Sequence, residues 1–227
     1  MTDFTDAMGY CEFKIPFLIE GVKAKTAQMA IGSEFHDDLE KIERASVVAV
    51  PLTVEKLLDT KSDLDFIRED VTTVFEHEFP FSSGKAKLSL FGRADKVFRQ
   101  DEVLVVSDDK HTANPGRYDF LSEPYDDQLL QVLAYLHSRY NLGDAVGGLS
   151  EIPHTKKMYR VNIIDSRTRA VYKTYQEYIT EEHTGMFIVS VAEFTMKCLK
   201  LDELRHHNSK SRCKACGYFG DCSNALR

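Results

Sequence analysis

Apolar residues recur at three- and four-residue steps from about Val22 to Ala45, where Ala27, Ile31, Phe35, Leu39 and Ile42 trace one side of an amphipathic helix. A shorter helical pattern follows around Val54 to Leu58. A third runs through Leu64, Ile67, Val71 and Phe75, until Pro80 and Ser82-Ser83-Gly84 end the helical region. The spacing then changes. Lys87 to Phe98 and Glu102 to Lys110 read as two strands joined by the polar turn Arg99-Gln100-Asp101.

A loop with Pro115, Gly116 and Pro124 leads to a predicted helix from about Asp126 to Tyr140. Gly143, Gly147 and Gly148 mark a further loop. Two more strands, Met158 to Ile164 and Ala170 to Tyr175, flank the turn Asp165-Ser166-Arg167-Thr168. A long helix from about Thr180 to Leu204 precedes a cysteine-rich tail. This order predicts an α/β fold of mixed α+β kind, a mixed sheet flanked by helices. The expected organisation is one domain over residues 1–227, with residues 46–81 as an acidic helical insert.

Composition narrows the class. The chain has 227 residues, is 43% hydrophobic and carries 14 Phe and 10 Tyr, enough for a substantial core. It has no apolar run of membrane-spanning length, and its start, MTDFTDAMGYCEF, lacks the pattern of a secretory leader. The expectation is a cytoplasmic protein, a compartment in which clustered cysteines are metal ligands more often than disulfides. Net charge is −7, which argues against non-specific duplex binding. Acidic residues crowd Glu34 to Glu78, whereas Lys197, Lys200, Arg205, Lys210, Arg212 and Lys214 gather near the C-terminus. Local potential, not the total, governs a phosphate ligand.

The first chemical candidate is Gly92-Arg93-Ala94-Asp95 followed by Asp108-Asp109-Lys110. A tight hairpin sets Asp95 and Asp108 nearly opposite one another. Strand alternation puts Asp108 and Lys110 on one face and the Asp109 side chain on the other, so Asp109 would offer a metal only its main-chain carbonyl. Asp-x-Lys alone is common as a surface pair. Here the apolar Val103-Leu104-Val105-Val106 leads into it, and burying such charges is costly without a partner such as Mg²⁺ or Mn²⁺.

The second candidate is Cys213-x2-Cys216-x5-Cys222, with Cys11 or Cys198 as a fourth thiolate. Spacing alone admits a tetrahedral zinc site or a [4Fe–4S] cluster.

Together these motifs resemble the PD-(D/E)xK nucleases, and among them the RecB-like branch. That pattern is an early helical histidine, Gly-x-x-Asp, (Asp/Glu)-x-Lys and Gln-x-x-x-Tyr. The chain offers His36, Gly92 to Asp95, Asp108 to Lys110, and Gln131 to Tyr135 in that order, over about half its length. The resemblance implies a restriction-endonuclease-like sheet and makes Asp95, Asp108 and Lys110 catalytic. It implies Mn²⁺ or Mg²⁺ held by His36, Asp95, Asp108 and the Asp109 carbonyl, with Gln131 and Tyr135 holding the substrate strand. It also implies a [4Fe–4S] cluster on Cys11, Cys213, Cys216 and Cys222, so that residues 205–227 and Cys11 form an iron–sulfur clasp and Cys198 stays free.

By the same resemblance the expected activity is a DNA exonuclease on single-stranded ends with 5′→3′ polarity. The expected setting is CRISPR spacer acquisition or DNA repair, with the CRISPR integrase complex as a suggested partner. Two departures stand out: Asp108 where many relatives carry glutamate, and Asp109 where an apolar residue is usual. The rival reading is a catalytically silent nucleic-acid-binding or adaptor protein that keeps the fold and the cluster.

Overall fold

The computed structural model of the chain describes residues 2–22, 65–81, 84–100, 103–142, 145–148 and 153–227. The expected helix of residues 22–45, with His36, and the helical pattern at 54–58 lie outside the described residues. Among the described residues seven strands form one mixed sheet: β1 (Asp65–Phe81), β2 (Gly84–Gln100), β3 (Val103–Thr112), β4 (Arg139–Leu142), β5 (Ala145–Gly148), β6 (Lys157–Asp165) and β7 (Val171–Tyr178). Their order is β5-β4-β1-β2-β3-β6-β7. Every neighbouring pair is antiparallel except β3 and β6, which run parallel.

A parallel pair needs a crossover. Here the chain leaves β3, runs through a helix and the β4–β5 hairpin, and returns as β6. Of the helices, α1 spans Thr2–Gly9, α2 Ile15–Ile19, α3 Asp126–Leu136, α4 Glu181–Leu199 and α5 Lys210–Ala215. The crossover helix α3 packs on β1, β2, β3 and β6, and α1 and α4 pack against it in turn.

The core lies between these layers. Leu104 and Val106 from β3, Val161 and Ile163 from β6, and Leu129, Val132, Leu133 and Leu136 from α3 are buried together. Each contributes roughly 1.5–3 kcal/mol by leaving water. Phe4 of α1 meets Phe194 of α4 edge-on at 5.3 Å, and Phe75 of β1 meets Phe187 at 5.0 Å. Close approach also needs a missing side chain: a Cβ on Gly9 would lie 2.4 Å from Asp127 N, so glycine lets the end of α1 touch the first turn of α3.

Four expectations are corrected. The pattern Leu64, Ile67, Val71, Phe75 predicts a helix, yet from Asp65 the chain is the 17-residue strand β1, paired along β2. The run Val71-Thr72-Thr73-Val74 explains why: β-branched side chains resist helix and favour a pleated sheet. Residues 65–81 are thus not part of a helical insert; residues 46–64 lie outside the described residues. The helix expected to reach Tyr140 stops at Leu136, and Arg139–Leu142 joins β1 instead. Gly147 and Gly148, expected in a loop, lie on β5. The last long helix stops at Leu199, where Lys200 leaves helical geometry at φ −132°, ψ 81°.

The two chain regions that carry the cysteines meet. Buried Glu12 pairs with Lys197 and accepts hydrogen bonds from Arg205 N at 2.6 Å and Arg205 Nε at 3.1 Å. Tyr10 donates to Arg212 O at 2.8 Å, Tyr218 donates to Val22 O at 3.0 Å, and the Phe17 and Tyr218 rings stack at 4.5 Å.

Candidate active site and cysteine recess

The β2–β3 hairpin sets two carboxylates side by side. Its paired register ends at Lys96 with Ser107, so Asp95 and Asp108 are the next residue of each strand, close enough for the Asp108 charge to act on Asp95. The main-chain N–H of Asp109 donates to Asp95 Oδ2 at 2.8 Å. Asp108 shares its face with Lys110, as the alternation predicts, and its Oδ2 lies 2.7 Å from Lys110 Nζ. That oxygen is buried and has no aligned hydrogen bond among the described residues.

Asp109 turns to the opposite face. Its side chain accepts from Asn162 Nδ2 at 2.8 Å and pairs with Lys96 Nζ at 3.2 Å. Thr174 Oγ1 donates to Asn162 Oδ1 at 3.0 Å, extending this polar ladder onto β7. The extra negative charge in the motif is therefore neutralised away from Asp95 and Asp108.

Gln131 of α3 reaches down to the lysine. Its Oε1 accepts from Lys110 Nζ at 2.7 Å, and its Nε2 donates to Tyr135 Oη at 2.8 Å. One helical turn separates Gln131 from Tyr135 and from Asp127, so all three share a face. Tyr135 is only 2% exposed, which places it to hold Gln131 and not to meet a substrate directly. Gln128, three residues before Gln131 on the same helix, donates to the buried Tyr118 hydroxyl at 2.8 Å.

Burial and like charge set the electrostatics. Burial pushes the Asp95 carboxyl well above its ordinary 3.8, and the adjacent Asp108 charge raises it further. Burial alone would draw the Lys110 ammonium down, but Asp108, Asp95 and Asp127 outweigh it and the net shift is upward. Burial also raises Asp127, with Lys110 pulling the other way. Burial, Asp108 and Asp95 hold the Tyr135 phenol far up, so it is neutral at any working pH. Two crowded acids beside a fixed ammonium suit a divalent cation, whose charge would relieve both carboxylates.

The second centre is a recess lined by Cys11, Cys213, Cys216 and Cys222 together, with Lys14, His206 and His207 among its other walls. All four expected thiols converge there. One donor atom each from Cys11, His206 and His207 lies within 4.8 Å of the others, a Cys/His group able to hold a metal ion. Burial raises the Cys11 thiol, opposed by main-chain N–H groups of Phe13 and His207. Cys198 lies apart, packed against the core from α4.

Sequence reasoning passed over Asp127, Asn162, His206 and His207. Asp127 stands four residues before Gln131, a helical step that was available as a signal. The His206-His207 pair lies shortly before Cys213, but outside the spacing of the cysteine motif itself.

No protein-family model matches the chain, and no curated protein matches it. The fold is similar to a solved structure, SSO0001, with a TM-score of 0.51 and 14% identity, covering 100% of this chain and 86% of that one. At that identity the likeness speaks for the fold alone. No helix among the described residues is long and apolar enough to cross a membrane.

Proposed function

We propose that the protein is a divalent-metal-dependent nuclease of the RecB-like PD-(D/E)xK type, with a restriction-endonuclease-like core, acting on DNA and preferring single-stranded ends. The observation that carries this reading is the closeness of Asp95 and Asp108 at the end of one hairpin's pairing, with Asp109 N–H on Asp95 at 2.8 Å and Lys110 Nζ 2.7 Å from Asp108. A catalytically silent protein has no need of two mutually repelling acids held side by side.

Asp95 and Asp108 would hold the cation, with His36 and the Asp109 carbonyl as the further ligands that the sequence resemblance names. Bound Mn²⁺ or Mg²⁺ supplies Lewis acidity toward the scissile phosphate and toward water. Lys110, kept protonated by its carboxylate neighbours, acts as an ammonium: it orients the attacking water and offsets charge on the phosphate. Gln131 holds that ammonium in line, and Tyr135 holds Gln131. The basic residues of the tail, among them Lys210, Arg212 and Lys214, favour the strand's phosphates.

For the cysteine recess we assign a [4Fe–4S] cluster on Cys11, Cys213, Cys216 and Cys222. It would reinforce the contacts that already join Glu12 to Lys197 and Arg205. A place beside the CRISPR integrase in spacer acquisition follows from the sequence resemblance and from nothing else.

The test is degradation of end-labelled single-stranded DNA with Mn²⁺, comparing wild type with Asp95→Ala and Lys110→Ala. The proposal expects cleavage by wild type and at least a 100-fold loss in each variant, about the cost of removing one charge-stabilising group. Equal cleavage by all three would remove it. The order of label release gives the polarity.

A further inference from the structure

The two histidines of the recess have their hydrogen bonding already fixed. The main-chain N–H of Asn208 donates to His206 Nδ1 at 3.0 Å, and that of Ser209 donates to His207 Nδ1 at 3.0 Å. A ring nitrogen that accepts carries no proton, so the proton of each neutral imidazole sits on Nε2. Both Nε2 atoms face one sulfur: Cys213 Sγ lies 3.4 Å from His206 Nε2 and 3.9 Å from His207 Nε2. The main-chain N–H of Leu226 reaches the same sulfur at 3.4 Å.

This arrangement is the reverse of a metal-ligating histidine. A ligand presents a bare nitrogen to the metal and donates its other N–H to an acceptor. Here the bare nitrogen meets a backbone donor and the N–H faces the thiol. Neighbouring rings hold the two imidazoles in place: Tyr10 packs edge-on to His207 at 5.6 Å, and Phe13 lies 5.8 Å from His206. The closeness of both rings to Cys11 therefore reflects packing around the thiols.

We propose that His206 and His207 are N–H donors to the Cys213 sulfur, not ligands, and that they raise the reduction potential of the centre. The potential rests on the iron–sulfur reading of the recess; the donor assignment does not. Hydrogen bonds to a cluster sulfur stabilise the reduced state, which carries the extra negative charge. Three N–H groups on one thiolate make Cys213 the electron-poor corner of the centre. The shorter His206 contact carries more of the effect than the longer His207 one.

Two measurements on the full chain test this. Long-range ¹H–¹⁵N spectra of ¹⁵N-histidine-labelled, metal-free protein read the tautomers directly. Protons on Nε2 of His206 and His207 are expected; protons on Nδ1 would overturn the donor assignment. Anaerobically loaded wild type is then compared with His206→Ala, His207→Ala and His206→Gln. Iron and sulfide contents equal to wild type are expected, with the midpoint potential lowered most in His206→Ala. His206→Gln, which keeps an N–H, should recover part of the shift.

Iron lost from the histidine variants would make these residues ligands, and an unchanged potential would remove the tuning role. A wild type that takes up no iron sinks the cluster reading and the potential with it. In that case the donor assignment is still decided by the tautomers and by the Co²⁺ spectrum of the recess. Histidine donors leave the tetrahedral d–d pattern intact in the variants, with only a small shift of the thiolate-to-Co²⁺ band; loss of a histidine ligand changes the d–d pattern.

Discussion

Lys110 on β3 is hydrogen-bonded to Gln131 on α3, Nζ to Oε1, at 2.7 Å. The contact links the sheet to the crossover helix at the point where the two acids lie close together. It also leaves Gln131 Nε2 free to be held by Tyr135 at 2.8 Å. The lysine is aimed by a relay whose far end is buried.

Gln131→Leu removes the acceptor from Lys110 while leaving Asp95 and Asp108 in place. A hydrogen bond to a charged group is worth about 1.5–3 kcal/mol, so the cleavage rate should fall at least about 10-fold. Mn²⁺ affinity should stay near wild type. Single-turnover cleavage beside a Mn²⁺ titration separates the two quantities, and a parallel loss of both would refute the relay.

Asp95→Asn tests the repulsion between the acids. The folded carboxyl has its pKa raised above the ordinary 3.8, so the folded protein holds this proton more tightly than the unfolded chain. Stability of the metal-free protein is therefore complete below 3.8 and is lost as pH rises through the raised value. Asparagine keeps an acceptor for Asp109 N–H and carries no charge. Metal-free Asp95→Asn should melt higher than wild type at neutral pH, lack that pH slope, and gain nothing from Mn²⁺. Thermal melts with and without the ion check all three.

Much of this site is legible in the amino-acid pattern, because a period of two decides which way a strand residue points. Asp108 with Lys110 on one face, and the Asp109 side chain on the other, follow from it, whereas the partners Asn162 and Lys96 depend on how β6 and β2 pair with β3. Strand β1 is less legible, since Ile67, Val71 and Phe75 satisfy a helical step, and the β-branched run from Val71 to Val74 overrules it together with the pairing with β2. The same holds for β4, which follows α3 without a glycine or proline to announce the break. Spacing groups Cys213, Cys216 and Cys222 but leaves Cys11 and Cys198 open as the fourth thiol, and only the family resemblance chooses Cys11. The orientation of His206 and His207 depends on backbone N–H groups, which no spacing rule displays.

His137 makes acid the weak side of the fold. Its ring stacks on Phe187 at 5.0 Å, and its buried Nε2 has no hydrogen-bond partner among the described residues. Burial, with Lys157 and His154 adding, lowers its pKa from the ordinary 6.5 to about 4. The folded protein thus binds this proton less readily than the unfolded chain. The stabilisation is complete above pH 6.5 and drains away as pH falls toward 4, by up to about 3 kcal/mol. Urea midpoints measured from pH 7 to pH 4 should drop steeply in wild type and less in His137→Phe. Parallel curves would show that this ring is not the group responsible.

Anomalous scattering from crystals soaked in Mn²⁺ tests the central claim at its own scale. The account predicts a peak between the carboxylates of Asp95 and Asp108, with the Lys110 ammonium beside it, and no such peak in Asp95→Asn. A wild-type map without density there, or with manganese bound only elsewhere, would contradict it.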